Sequence, residues 1–321
     1  MFKPSYRMNQ VAYLFPGQGA QAVGMGKAFY DRFDESKEIY KKGNSRLGFD
    51  VTALCFEGPP EELTKTEKCQ PALFATSLAA FAAFRRLAPA SLLPVAAAGL
   101  SLGELTALAA AKAFSVEDGF YLVQARGEAM AECTARHQGA MLAVIGLSSE
   151  AVEELCRASG ATGANYNAQD QVVLSGSVES IEKAEALAKA QGAKRAVKLD
   201  VAGAFHSGLM QPAAEQFKRV LSNVEIRPPA FPIVSNVTGS SVQDPEEIRQ
   251  LLVRQIVSPV LWESSIRHLI QAGATHFIEF PPARVLTALL RRIDGAAKGI
   301  TIDEPKDFEK LSDVLGARLN A

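Results

Sequence analysis

The stretch Gly99-Leu100-Ser101-Leu102-Gly103 fits the pattern G-x-S-x-G and restricts the fold more than any other part of the chain. The motif requires a strand before it and a helix after it. Residues 95–100 read as a short strand of small residues, and 104–114 as a strong helix former. Such a turn needs small flanking residues and pushes the serine hydroxyl to the top of a sheet. It also aims the amide of Leu102, at the helix start, toward any oxygen that becomes negative. A chance match is the bland alternative, and the predicted strand-to-helix context argues against it.

The surrounding chain alternates strands and helices. Residues 11–15 predict a buried strand stopped by Pro16-Gly17-Gln18-Gly19, and 27–42 an amphipathic helix. Pro71 is expected to open a helix over 72–87, and 116–135 a further helix that carries Arg126. In the middle, strands are expected at 140–147, 163–167, 171–175 and 195–201. Helices are expected at 149–158, capped by Ser148 or Ser149, and at 178–191. That βαββαβ order is the ferredoxin-like pattern, so 136–201 is read as a small domain inserted into a discontinuous α/β domain, 1–135 with 202–321. The remainder predicts helices at 208–221, 246–256, 261–272, 284–293 and 308–319, with strands at 232–237 and 276–280.

Composition excludes several classes. With 48% hydrophobic and 21% charged residues in 321, the chain can bury a full core and has an ordinary soluble balance. A formal net charge of -1 gives no reason to expect a nucleic-acid or membrane surface. The apolar run 92–100 is too short for a bilayer span, which needs roughly 20 residues. The first residues lack a signal-peptide pattern, and Met8 would make as good a start as Met1. The four cysteines, Cys55, Cys69, Cys133 and Cys156, form no C-x-x-C pair, so neither zinc nor dithiol chemistry is suggested. Reduced thiols in a cytoplasmic protein are expected.

An activated serine needs a base. Among four histidines (His137, His206, His268 and His276), His206 lies in the short loop Gly203-Ala204-Phe205-His206-Ser207, suited to presenting a side chain. His268 falls within an amphipathic helix and His276 at a strand start, which favours structural roles. Arg126 stands on an otherwise apolar helix. A salt-bridged structural arginine is the ordinary reading there, and a planar fork that holds a substrate carboxylate is the functional one. The loop after the first strand, Phe15-Pro16-Gly17-Gln18-Gly19, can turn an amide inward as a second oxyanion donor or serve only as a connection.

Together these residues resemble the malonyl-coenzyme A:acyl carrier protein transacylase family, whose members open with F-P-G-Q-G. The resemblance runs over about 11–293. It rests on ordered segments: 15–21, 101–104, Arg126, 203–210, and Arg254-Gln255 ahead of Pro259-Val260-Leu261-Trp262. It implies an α/β-hydrolase-like large domain with an inserted ferredoxin-like small domain. It makes Ser101 the nucleophile, His206 its base and Arg126 the clamp on the malonyl carboxylate. The amides of Gln18 and Leu102 become the oxyanion hole, Gln255 a support of the histidine, and Phe205 a mark of malonyl selectivity. The implied cycle is ping-pong, with malonyl-CoA as donor and an acyl carrier protein as partner. It calls for no metal or organic cofactor, and a monomer is expected.

Two positions depart from the family. Leu100 stands where histidine usually precedes the nucleophile, and Pro281-Pro282-Ala283 replaces a usual G-P-G turn. No acidic triad member is evident, because strand alternation points Asp200 away from His206, so a Ser–His dyad is expected. A hydrolase of the same fold and a non-catalytic carrier-docking protein are the rival readings. The acceptor belongs to fatty-acid synthesis or, alternatively, to polyketide synthesis.

Overall fold

The computed structural model describes residues 10–89, 92–201 and 203–312. Strand β1 (Val11–Phe15) has every side chain buried, as a strand covered on both faces requires. Strand β2 (Ala97–Gly99) lies parallel to it, with Phe15 opposite Gly99. Next along the chain come β3 (Ala140–Ile145), β4 (Thr162–Ala168), β5 (Gln171–Gly176) and β6 (Arg195–Lys198). The remaining strands are β7 (Ile233–Val234), β8 (Ser241–Val242), β9 (His276–Glu279) and β10 (Lys298–Thr301). They form two sheets. The larger has the order β10-β9-β1-β2-β7-β8 and is parallel except for the β7–β8 edge pair. The smaller has the order β4-β5-β3-β6 and is antiparallel throughout.

Register in the larger sheet decides where a site can be. Leu14 pairs with Glu279 and Phe15 with Gly99, so β1, β2 and β9 end level with one another. Their outgoing loops gather at the carboxyl edge, the usual ligand side of an open parallel sheet. Tyr13 anchors the middle of β1. The rings of Phe81, Phe84, Phe231 and Phe280 stand edge-on around it at 5.6–5.9 Å. Each such pair contributes about 0.5–1.5 kcal/mol beyond its buried area. The helices Thr66–Leu87 and Val116–Arg136 cross closely on the same side. A Cβ on Gly127 would stand 2.9 Å from Glu67 Cα, so only glycine permits the approach that sets Arg126 beside Gln70.

The smaller sheet uses the two-residue period of a strand to serve two neighbours. Leu142 and Val144 of β3, with Val172 and Leu174 of β5, pack under the helices Ser149–Ser159 and Val178–Ala190. Met141 and Ala143, with Val173, face the other way, toward the larger unit. The free edge of β4 is covered by the segment around Val260. Tyr166 N donates to Val260 O at 2.9 Å, and Val260 N to Ala164 O at 2.8 Å. That pairing removes an exposed edge and fixes the two sheets against each other.

Several elements differ from the sequence expectations. The helix expected at 27–42 is two, Lys27–Arg32 and Asp34–Leu47. Phe33 between them is extended (φ -122, ψ 126) and packs its ring on Phe308. Pro71 lies inside its helix rather than at its start, because Thr66, Cys69 and Gln70 are buried and packing carries the helix back to Thr66. The helix after the elbow runs Leu102–Ala110, and a 3-10 turn, Gly208–Met210, precedes the helix Gln211–Leu221. The strand expected at 232–237 is only Ile233–Val234. Strands β8 and β10 were not foreseen, since two residues in the first and an exposed glycine in the second leave no alternation to read. Of the terminal helix expected at 308–319, the described part is a 3-10 helix, Pro305–Leu311, and the rest lies outside the described residues, as do Met1 and Met8.

Candidate active site

Local sterics build the turn that carries Ser101. A Cβ on Gly99 would come within 1.9 Å of the Gly103 carbonyl, and one on Gly103 within 2.1 Å of Phe15 O. Neither position admits a side chain, and the strand therefore runs directly into the helix. Ser101 itself sits at φ 53, ψ -105, strained for a residue with a Cβ. Asn236 holds it there. Its Oδ1 accepts from Ser101 N at 2.7 Å while its Nδ2 donates to Gly99 O at 2.7 Å. The Pro16–Gly19 loop approaches from β1, and a Cβ on Gly17 would lie 2.4 Å from Leu100 O. Gln18, Leu100 and Leu102 all line the cavity above Ser101.

The structure brings His206 and Arg126 to the same hydroxyl. Ser101 Oγ lies 2.8 Å from His206 Nε2, and Arg126 Nη2 donates to it at 3.0 Å. His206 takes a left-handed backbone (φ 57), and its Nδ1 donates to Gln255 O at 2.8 Å, leaving Nε2 free to accept. Burial, with the Arg126 charge nearby, pushes its pKa down to about 4, so the ring is neutral at physiological pH. Among the described residues no carboxylate is hydrogen-bonded to it; Asp200 is exposed, and it lies beyond the end of β6 at Lys198 rather than on the strand expected to turn it away. His137 is exposed, while His268 and His276 bond to Ser241 and Thr275 away from the cavity.

Arg126 is only 1% exposed. Its Nη1 donates to Gln70 Oε1 at 2.7 Å and its Nη2 also to Gln255 Oε1 at 3.0 Å, while the buried Nε has no partner. Burial lowers its pKa to about 10, against the opposing pull of Glu104, so it stays charged at neutral pH. Gln255 is the hub of this network. Its Nε2 donates to Ser101 O at 3.0 Å and to Glu104 Oε2 at 2.5 Å. Burial raises Glu104 to about 7, countered by hydrogen bonds from Gln255 and the Asn236 amide. A buried, neutral imidazole and a charged fork thus converge on one serine hydroxyl, an arrangement suited to acyl transfer from substrates that carry an anion.

The cavity holds about 490 Å³. Phe205 lines it beside His206, and the smaller sheet closes the opposite side with Met141, Ala143, Asn165, Asn167 and Val173. Pro281-Pro282-Ala283 lies off the cavity lining. Ser77 Oγ donates to Pro281 O at 2.5 Å and Asp303 accepts from Ala283 N at 2.9 Å, which anchors the loop without a glycine. Sequence reading missed Gln70, Asn236 and the part Glu104 plays. Two signals were available: a glutamine just before an apolar helical run, and a lone acid in the apolar helix LGELTALAA. Among the described residues no group of three or more His, Cys, Asp or Glu is placed to hold a metal ion, and no helix is long and apolar enough to cross a membrane.

Comparison with known proteins gives the chain a family. Residues 12–300 match the acyl transferase domain family. The malonyl CoA-acyl carrier protein transacylase of Bacillus subtilis is 40% identical over 96% of this chain and 98% of its own length. The crystal structure of acyl-carrier-protein-S-malonyltransferase from Bartonella henselae superposes with a TM-score of 0.93 at 37% identity, covering 96% of this chain and 100% of that one. A malonyl-transacylase in complex with its type II PKS acyl-carrier protein gives 0.90 at 35% identity, covering 93% and 97%.

Proposed function

The chain belongs to the malonyl CoA-acyl carrier protein transacylase family, and from that premise we propose that it moves malonyl from coenzyme A to the phosphopantetheine thiol of an acyl carrier protein. The observation that carries this reading is the convergence of His206 Nε2 and Arg126 Nη2 on Ser101 Oγ. Fatty-acid synthesis is the main setting. A polyketide carrier is a second reading, favoured by the relative whose structure contains a type II PKS carrier.

In the first half-reaction Arg126 leaves Ser101 Oγ for the malonyl carboxylate and fixes the acyl chain against the serine. His206 Nε2 takes the hydroxyl proton as Oγ bonds to the thioester carbonyl carbon. The resulting oxyanion is held by the amides of Gln18 and Leu102. Collapse breaks the C–S bond, the proton passes from His206 to the leaving thiolate, and malonyl-serine remains. The carrier thiol then repeats the sequence in reverse, which makes the cycle ping-pong with a Ser–His dyad. The Gln255 carbonyl orients the imidazole in place of a triad carboxylate. Every step uses groups of this chain and its substrates, with no metal or organic cofactor.

In this reading the larger unit, 1–135 with 202–321, is α/β-hydrolase-like and 136–201 is an inserted ferredoxin-like unit, in accord with the β4-β5-β3-β6 order. The working protein is a cytoplasmic monomer. Mixing it with malonyl-CoA and a carrier protein, then weighing each species, tests the whole proposal. Transfer gives malonyl-enzyme and malonyl-carrier. Free malonate alone would mean a hydrolase, and unchanged masses a docking protein.

A further inference from the structure

Glu104 is a buried carboxylate, 2% exposed, that the transfer steps leave unused. Its Oε2 accepts from Gln255 Nε2 at 2.5 Å and from Asn236 N at 3.1 Å. The other end of the same carboxamide, Gln255 Oε1, accepts from Arg126 Nη2 at 3.0 Å. One glutamine side chain therefore joins a buried anion to a buried cation. The charge facing Glu104 is Arg126, from the helix Val116–Arg136. The other elements packed around it present Ser235 and Asn236 from beyond β7 and Gln255 from the helix Pro245–Gln255, none of which titrates.

Charge balance in this buried network has a consequence for substrate binding. Arg126 lines the cavity and Glu104 lies behind it, off the lining and across Gln255, so the buried network holds one cation and one anion. A malonyl carboxylate on Arg126 would make two anions share that buried cation, and like charges drawn to one counter-charge favour protonation of one of them. The substrate carboxylate would hold the guanidinium directly, whereas Glu104 reaches it only through an amide bridge. We propose that Glu104 is a proton-linked counter-charge to Arg126, ionised while the cavity is empty and protonated from solvent when a substrate carboxylate occupies the guanidinium. Burial already raises the free carboxyl to about 7, so modest added repulsion carries it across at neutral pH. With the proton on Oε1, Oε2 still accepts from Gln255 and the network keeps its shape. One proton enters from the buffer as malonyl-serine forms and returns to it when malonyl leaves on the carrier. An acetyl group, uncharged, takes up none.

This inference rests on the malonyl reading, and its test separates the two. The protein at high concentration is mixed with one equivalent of malonyl-CoA in weak buffer at about pH 7.5 with an indicator dye, correcting for the released thiol with free CoA. Malonyl-serine is counted by intact mass in the same sample. The expected result is a net uptake approaching one proton per malonyl-serine. In steady state, the malonyl-to-acetyl ratio of kcat/KM should fall above pH 7 by up to about tenfold per pH unit, the limit for one linked proton. Glu104→Gln, permanently neutral, should show no uptake and a ratio flat with pH. Malonyl-serine without proton uptake in the parent, with a ratio flat in pH, overturns the inference and leaves the malonyl reading standing. Absence of malonyl-serine overturns both. Should Glu104→Gln fail to fold, the parent's proton count decides alone.

Discussion

The two sheets contribute to one cavity in unlike ways. From the larger unit come a strained serine, a neutral histidine, a buried arginine and a carboxylate, cross-linked by Gln255 and Asn236. The smaller sheet supplies Met141, Ala143, Val173 and two asparagines, none of which titrates. Reacting groups must be held to within tenths of an ångström, which suits the level carboxyl edge of a parallel sheet. A wall needs only shape and a few neutral hydrogen-bonding groups, which one face of an antiparallel sheet provides. Chemistry and enclosure are thus divided between units, and substitutions on the two sides should fail differently.

The largest effect is expected at the elbow. Ser101→Ala should abolish transfer and leave no acyl-enzyme by intact mass, while the parent gains one malonyl; a malonylated variant would break the comparison at its root. Next comes His206→Ala, which should slow both half-reactions by about a hundredfold or more. The parent supplies a companion measurement with acetyl-CoA. Because the base must be neutral and its pKa lies near 4, the acylation rate should stay flat from pH 8 to 6 and fall only on approach to 4. A fall centred near 6.5 would show that His206 is not held as the structure has it.

Arg126→Ala should act on selectivity more than on rate. Loss of a charge-assisted contact to the malonyl carboxylate costs about 1.5–3 kcal/mol, or roughly ten- to a hundredfold in the malonyl-to-acetyl ratio of kcat/KM. Arg126→Lys restores charge without the fork and should recover only part of it. A ratio unchanged in both variants would make Arg126 a structural residue. The smallest effect belongs to the smaller sheet. Asn167 Oδ1 is buried in the wall without a partner, so Asn167→Ala should raise KM by about two- to tenfold and leave kcat nearly unchanged. A kcat loss comparable to that of His206→Ala would show that the division between the sheets is wrong.

How much of this was legible depended on how far apart the interacting residues lie. Ser101 and Leu102 could be read directly, because the elbow is made by Gly99 and Gly103 within five residues. His206 was singled out from the other histidines by its loop, and His268 and His276 do lie outside the cavity. Gln70 left only a faint signal and Asn236 none, since each reaches the site across more than fifty positions of chain. The break at Phe33 was missed for a related reason. The pattern around it is helical, and the ring of Phe33 packs in the folded core against Phe308, a neighbour the local pattern does not contain.

What the sequence determined alone is the turn at Ser101 and the alternation of strands and helices around it, since sterics and hydrophobic period act between near neighbours. Only the folded chain decided the state of each charge. Arg126 on its helix could have been a surface ion pair, and Glu104 an ordinary acid. Their roles come from being sealed away from water with one glutamine between them, because desolvation and hydrogen bonding depend on whatever the fold packs alongside.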